Sequence, residues 1–273
     1  MSQQSTASMS SPMPQQGATH AWMRRDEIRR QVSEHGFVTV DDLARTFGVS
    51  QMTIHRDLSD LETKGYLRKV RGGATSQATH NFHGDMPHRL DAERLAKQAL
   101  SQAALAEIET GQIVFIDDST TCLHLAMLLP DVAPLTVVTN FLPVIQTVGN
   151  HPAIDTVGLG GSYAGAHQAF LGPATVAAVE KLRGDVLFMS TTAVTDGKCF
   201  HQSPDTVMVK QALMSVVSRR ILVVDHTKFD RRGMHHLADL TDFDLILVDD
   251  GIRPETLDGL AATRANIRVV PVG

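Results

Sequence analysis

The stretch from Thr39 to Leu61, TVDDLARTFGVSQMTIHRDLSDL, decides how the rest of the chain is read. In its first half Leu43, Ala44 and Phe47 recur at helical spacing, and Thr39 or Asp41 is placed to cap the amides at the helix start. Gly48 ends that helix, because glycine accepts the left-handed backbone a helix terminus often needs; Val49 is expected in the core, and Ser50 can cap the next helix. In the second half Ile54, Leu58 and Leu61 follow i, i+4, i+7 and form one buried stripe, which leaves Gln51, Met52, His55, Arg56 and Ser59 on other faces. The spacing predicts two short helices joined by a tight turn.

The outward residues suggest a chemistry. A helix that reads DNA presents short polar side chains near its N-terminus to base edges, and arginine to phosphate or guanine. Gln51, Thr53, His55 and Arg56 meet that requirement. An ordinary amphipathic hairpin with a solvated outer face would satisfy the same apolar pattern, so the flanking sequence has to decide. Gly65 is placed to break the second helix, and Tyr66-Leu67-Arg68-Lys69-Val70-Arg71-Gly72-Gly73 then alternates apolar and basic residues before a glycine pair, as a short hairpin wing would. Upstream, Ala21 to His35 reads as a first helix, with Trp22, Ile28 and Val32 expected beneath the second helix of the pair and Arg24, Arg25, Arg29 and Arg30 expected to face outward.

Thr53-Ile54-His55-Arg56-Asp57-Leu58, followed by Leu67-Arg68-Lys69-Val70-Arg71-Gly72-Gly73-Ala74, closely resembles the N-terminal winged helix of DeoR-type bacterial repressors. The resemblance runs from about Met23 to Ala74 and includes Arg25 and Ile28. It implies a DNA-contacting set of Arg24, Arg25, Ser50, Gln51, Thr53, His55, Arg56, Lys69 and Arg71. It departs mainly at His55, where the family usually carries arginine, and that change bears on which operator is read.

A chain of 273 residues, 42% hydrophobic, is longer than a winged helix needs, so a second domain is expected. No apolar run is long enough to span a bilayer and the N-terminus lacks the order of a signal peptide, which predicts a cytoplasmic protein without a membrane partner. Cys122 and Cys199 are too few for a disulfide framework and lack metal-site spacing. The adjacent pair His235-His236 would point apart on a strand or helix, so no metal site is expected. The formal charge of −5 is unevenly spread: residues 21–74 hold ten Lys or Arg against eight Asp or Glu, and the acidic excess lies elsewhere. A locally basic end on an acidic body suits a regulator.

Residues 1–20, rich in Ser, Gln, Thr and Pro, predict a disordered tail, and Thr75 to Pro87 is polar and rich in turn formers. The expected organisation is therefore tail 1–20, DNA-binding domain 21–74, linker 75–89 and sensor domain 90–273. Across the last of these run seven short apolar segments: Ile113–Ile116, Leu135–Val138, Thr156–Leu159, Val186–Met189, Ile221–Val224, Leu245–Val248 and Ile267–Val270. They alternate with amphipathic stretches such as Thr121–Leu129, Thr175–Leu182 and Asp205–Val217. That alternation predicts an α/β fold, a doubly wound and mostly parallel sheet whose strands are buried on both faces.

Five of these strands give way to polar clusters: Asp117-Asp118-Ser119-Thr120-Thr121, Thr139-Asn140, Gly160-Gly161-Ser162-Tyr163, Ser190-Thr191-Thr192, and Asp225-His226-Thr227-Lys228. In a parallel sheet these ends share one edge, where ligands bind, and hydroxyls with glycines and a lysine suit an anion such as phosphate. Strand-to-helix turns commonly use such residues in any protein; five at corresponding positions point to a crevice. Gly158-Leu159-Gly160-Gly161-Ser162-Tyr163 imitates a dinucleotide fingerprint, but Tyr163 stands where the third glycine is needed and no Walker-type lysine motif exists, so no nucleotide cofactor is expected.

This half resembles the sensor domain of the same family over about Leu90 to Asp250, a fold similar to ribose-5-phosphate isomerase. The resemblance rests on Phe115-Ile116-Asp117 with Thr120-Thr121, Val137 to Asn140, Gly160-Gly161, Leu171-Gly172-Pro173, Lys210, and Asp225 with Lys228-Phe229. It implies a small-molecule effector, usually a phosphorylated sugar, held by Asp117, Asp118, Ser119, Thr120, Thr121, Thr139, Asn140, Gly160, Gly161, Lys210, Asp225 and Lys228. Asp118 departs from the family loop and brings a second carboxylate to it: either it turns away from the anion or the ligand binds through hydroxyls. The expectation is an oligomeric repressor, dimer or tetramer, of a carbohydrate-utilisation operon acting on double-stranded operator DNA, with no catalytic residues. The alternative is a sugar-phosphate isomerase or deaminase in which Asp117, Asp118 and Lys228 form an acid–base set.

Overall fold

A computed structural model describes residues 16–63, 66–75, 86–261 and 263–273. The chain forms two compact units that divide between Phe82 and His83. The first contains α1 (Gln16–His35), β1 (Phe37–Thr39), α2 (Val40–Phe47), α3 (Gln51–Thr63), β2 (Arg68–Val70) and β3 (Gly73–Thr75).

The turn between α2 and α3 forms as its residues dictate. Thr39 Oγ1 accepts from the Asp42 amide at 3.1 Å, Gly48 takes φ 61°, and Ser50 Oγ accepts from the Thr53 amide at 3.2 Å. Ile28 and Val32 of α1, Leu43 of α2, and Ile54, Leu58 and Leu61 of α3 pack as one small core. Strands β2 and β3 form the antiparallel wing, turning at Arg71-Gly72, and β1 adds a third strand on the far side of β3. At three residues β1 is too short to show a period in the sequence. Gly73 is fixed by contact, since a Cβ there would lie 2.1 Å from the Val38 carbonyl oxygen.

Several expectations for this unit are corrected. Trp22 is 66% exposed and contributes nothing to the core: six residues before Ile28, it lies about 120° round the helix from the buried stripe. Helix α1 begins at Gln16, inside the stretch expected to be a tail; the rest of that tail, residues 1–15, lies outside the described residues, as do Gly65 and residues 76–85 of the expected linker. Arg24 and Arg25 do not project outward. Arg24 Nε meets Asp57 Oδ2 at 2.6 Å, Arg25 Nε meets Asp57 Oδ1 at 2.8 Å, and Arg25 also reaches Asp60 at 3.0 Å. Asp57 is buried on the inner side of α3, and a buried carboxylate needs its counter-charge close by.

The second unit contains α4 (Met86–Asp91), α5 (Arg94–Leu105), β4 (Ile113–Ile116), α6 (Thr120–Ala126), β5 (Leu135–Thr139), α7 (Leu142–Val148), β6 (Ile154–Gly158), β7 (Ser162–Ala164), β8 (Ala169–Leu171), α8 (Pro173–Val179), β9 (Gly184–Met189), β10 (Ala193–Thr195), β11 (Lys198–His201), α9 (Pro204–Ser215), β12 (Val217–Val224), β13 (His235–Asp239), β14 (Leu245–Asp249), α10 (Pro254–Ala261) and β15 (Ile267–Val270). Seven strands make one parallel sheet in the order β15-β14-β12-β9-β4-β5-β6. They are the seven apolar segments of the sequence. The interior strands are buried on both faces, whereas edge strands β6 and β15 expose Val157 and Val269. The hairpin β7–β8 and the small antiparallel sheet β10-β11-β13 have no counterpart in the sequence expectations.

The strand order positions the site. From β4 the chain builds outward through β5 and β6, then returns to the other side of β4 and builds through β9, β12, β14 and β15. The order reverses between β4 and β9, and their carboxyl ends leave a crevice at that point. No helix of the described residues is long and apolar enough to cross a membrane.

Asp57→Ala should destabilise the first unit by about 1–3 kcal/mol, less than for a fully enclosed pair because both arginines stay partly in water. Amide hydrogen exchange in α1 and α3 measures it, and unchanged protection would show the brace to be idle.

Candidate functional site

The first unit presents its exposed polar groups along one side of α3. His55 and Arg56 are exposed, Ser59 half-buried, and Lys69 of β2 donates to Ser59 Oγ at 2.8 Å, so the wing lysine stands beside this face. Glu62 accepts from the Lys69 amide at 2.7 Å and fixes that strand to the helix. Arg71, at the wing tip, and Arg68 on β2 are exposed. Ser50 and Thr53 share a hydrogen bond at 3.0 Å within the cap, and Gln51 donates to Asp41 Oδ1 of α2 at 2.6 Å. The structure thus gathers His55, Arg56, Lys69 and Arg71 as outward groups, uses Ser50, Thr53 and Gln51 partly to shape the turn, and commits Arg24 and Arg25 to Asp57.

In the second unit a cleft opens at the β4/β9 crevice. The turn after β4 supplies Asp118 and Ser119, and the start of α6 supplies Thr120 and Thr121; the turn after β9 supplies Ser190, Thr191 and Thr192; the turn after β12 supplies Lys228 and Arg231. Arg89 of α4, Lys97 of α5, His201 of β11 and Lys210 of α9 complete the wall.

Its floor is ionic. Asp117 is fully buried and accepts from the Ser119 amide at 3.0 Å, from Ser119 Oγ at 2.5 Å, from the Ser190 amide at 2.8 Å, and from Lys210 Nζ. The same ammonium lies 3.0 Å from Asp118 Oδ1. Burial opposes the charge on Asp118, but Lys210, His201 and Arg89 outweigh it and hold the carboxyl at about 2. Burial likewise opposes the Lys210 charge, and the two carboxylates outweigh it, so its pKa is raised. The second carboxylate is therefore paired with Lys210, an ammonium it shares with Asp117, so the three groups together carry a net charge of −1.

Across the cleft, Asp225 accepts from Lys228 Nζ at 2.6 Å and from the Thr227 amide at 3.1 Å, which aims Lys228 at the opening. Lys97 donates to the Arg89 main-chain carbonyl, and Arg89 to that of Asp118 at 3.3 Å. Burial, and then the positive charge of Lys228, lower the Lys97 ammonium to about 8. Among the described residues Arg89, Lys97 and Arg231 have no carboxylate ion-pair partner.

Four sequence-predicted positions are not brought to this cleft. Thr139 Oγ1 accepts from the Phe141 amide at 3.1 Å, and Asn140 donates to the Phe170 carbonyl at 3.0 Å; both shape the turn after β5, the strand next to β4 on the side away from β9. The Gly160 carbonyl accepts from Thr175 Oγ1 at 2.9 Å, and a Cβ on Gly161 would lie 2.0 Å from that hydroxyl, so this pair serves packing against α8. Arg89, Lys97 and Arg231 were missed: Arg89 falls in the expected linker, and a lone lysine on an amphipathic helix reads as solvated. Lys97 is 3% exposed.

Residues 24–80 match the DeoR-like helix-turn-helix domain, and residues 93–250 match the DeoR C terminal sensor domain. The chain belongs to the DeoR family of transcriptional regulators. The L-fucose operon activator of Haemophilus influenzae is 30% identical over 235 residues, 85% of this chain and 94% of that protein. The lactose phosphotransferase system repressor of Staphylococcus aureus is 30% identical over 234 residues, 83% of this chain and 91% of that one. A solved ribose-5-phosphate isomerase A from Methanocaldococcus jannaschii aligns over 50% of this chain and 54% of its own, at 12% identity and a TM-score of 0.36. At that level the likeness bears on no chemistry.

In this DeoR-family regulator Lys210→Met leaves two buried carboxylates without their counter-charge. The second unit should lose about 3–5 kcal/mol at neutral pH. One carboxyl is then forced to keep its proton, its folded pKa rising above the unfolded value, so the lost stability returns as pH falls. Denaturant unfolding of the variant at about pH 7.5 and about pH 5 checks this: a midpoint that does not climb on acidification contradicts it.

Proposed function

We propose that this regulator represses a carbohydrate-utilisation operon in the cytoplasm and leaves its operator when a phosphorylated sugar fills the β4/β9 cleft. In this reading residues 21–74 bind DNA, residues 90–273 bind the effector, and residues 75–89 link them. The observation that carries the effector half is the charge in the cleft. Arg89, Lys97, Lys210, Lys228 and Arg231 face the buried carboxylates Asp117, Asp118 and Asp225, an excess of two positive charges. A phosphate monoester carries about −1.5 to −2 at neutral pH and would balance it. Ser119, Thr120, Thr191 and Thr192 supply hydroxyls for the sugar. The relatives named for fucose and lactose operons support a sugar as the class of effector.

Asp117 spends its carboxylate on Lys210, Ser119 and Ser190, which favours a structural role for it over that of a catalytic base. Regulation then rests on differential affinity. The effector has to bind the DNA-incompetent arrangement more tightly, by about 1–3 kcal/mol for a modest switch, since a ligand that binds both states equally changes nothing. A single winged helix covers little DNA, so two or four copies acting on paired half-sites would supply operator affinity.

A thermal-shift screen of the full chain against phosphorylated sugars, free sugars and polyols tests the cleft. Phosphates should raise the melting temperature by mass action, and Arg231→Ala should remove the effect; a response to neutral sugars alone contradicts the reading. Because Lys97 loses its proton at about 8, phosphate affinity should fall as pH rises through that value. A bound dianion favours the charged ammonium, so binding should take up a proton there. Titration calorimetry in buffers of different ionisation enthalpy detects that proton, and Lys97→Met should abolish it. On the DNA side, Arg56→Ala should weaken operator binding by about 1–3 kcal/mol if the guanidinium reads a base. Unchanged binding in a gel-shift titration would remove α3 from the DNA contact.

A further inference from the structure

Of the large apolar side chains that the first unit leaves in water, Met52 is the one on the outward face of α3. Met52 is 78% exposed, the most exposed of the large hydrophobic residues described in the chain. It sits on the first turn of α3, two residues after the Ser50 cap. Ile54, Asp57, Leu58 and Leu61 form the buried side of that helix. At roughly 100° per residue, Met52 points directly away from them, in a row with Arg56 and Ser59 and beside His55. Its neighbour Gln51 is held by Asp41 at 2.6 Å, so at the N-terminal end of the outward face the unheld side chain is Met52.

Single exposed hydrophobic residues are ordinary on protein surfaces. This one lies in the middle of a polar face, with an arginine one turn below it, at the end of the helix that enters a DNA groove first. The floor of the major groove is polar except for one feature, the C5-methyl group of thymine. We propose that Met52 is a specificity-determining residue that packs against a thymine methyl in each operator half-site, while Arg56 and His55 take the polar edges of the following bases. The inference rests on α3 being the DNA-reading helix. An unbranched thioether chain suits the task, because it adjusts to the methyl group without a fixed rotamer.

The test begins with duplexes selected from a random pool by the full chain. Each thymine in the selected site is then replaced by deoxyuridine, which lacks only the methyl group, and affinity is read by fluorescence anisotropy. At one thymine per half-site the replacement should weaken the wild-type protein about fourfold, the value of one buried methyl group. Met52→Ala should weaken binding to the thymine duplex and be indifferent to the replacement, and Met52→Leu should restore the discrimination. The salt dependence of binding should be the same for wild type and Met52→Ala, since no phosphate contact is lost. A wild type indifferent to every replacement, or a Met52→Ala variant as sensitive as the wild type, overturns the role of Met52 and leaves the DNA-reading helix in place. Met52→Ala that changes sedimentation instead of base discrimination overturns it in favour of a protein contact. Selection of no duplex at all overturns the reading of α3 as well.

Discussion

The second unit depends on the ion triad of Lys210 with Asp117 and Asp118. Three ionisable groups are taken almost wholly out of water, and the Lys210 ammonium bridges the two carboxylates. Such an arrangement adds little net stability compared with apolar packing, but it leaves few alternatives, because removing Lys210 strands two buried carboxylates. It also fixes geometry. Asp117 reaches across to the Ser190 amide, and Lys210 comes from α9, so the ends of β4 and β9 and one helix meet at a single point. That point is where the strand order reverses and where the parallel sheet leaves room for a ligand.

The cleft wall follows the opposite logic. Arg89 and Lys97 lean on main-chain carbonyls rather than carboxylates, and Lys97 is destabilised as a cation by burial and by Lys228. Cations gathered without enough anions are held together by the fold and relieved by an anionic guest. Floor and wall thus divide the work: the ion triad sets the shape and the under-compensated cations of the wall set the charge preference. Hydroxyl groups from the segments that follow β4 and β9 line the same cleft.

The first unit repeats the device on a smaller scale. Asp57, inside the domain, holds two arginines of α1 and orients α3, while the opposite side of that helix carries Met52, His55 and Arg56 into solvent. One buried carboxylate thereby separates the residues of the helix that maintain the fold from those left available for recognition. The arginines at 24 and 25 look like surface cations in the sequence, because nothing local reveals that α3 turns an aspartate toward them.

Local chemistry was legible throughout. Thr39, Gly48 and Ser50 determine the turn between α2 and α3 by backbone preference and capping, and those effects act within a few residues. The seven apolar segments determine a parallel sheet, because strands covered on both faces have to be continuously hydrophobic. What only the tertiary structure decided is which polar turns meet. Strand order brings β4, β9 and β12 together and leaves Thr139, Asn140, Gly160 and Gly161 serving turns and packing one and two strands beyond β4, and no residue carries its strand's position in its own identity. Nor does a lysine announce its burial: Lys97 becomes a site residue only because α5 carries it to the crevice that Lys210 reaches from α9, where long-range charge and desolvation, rather than local sequence, set what it does.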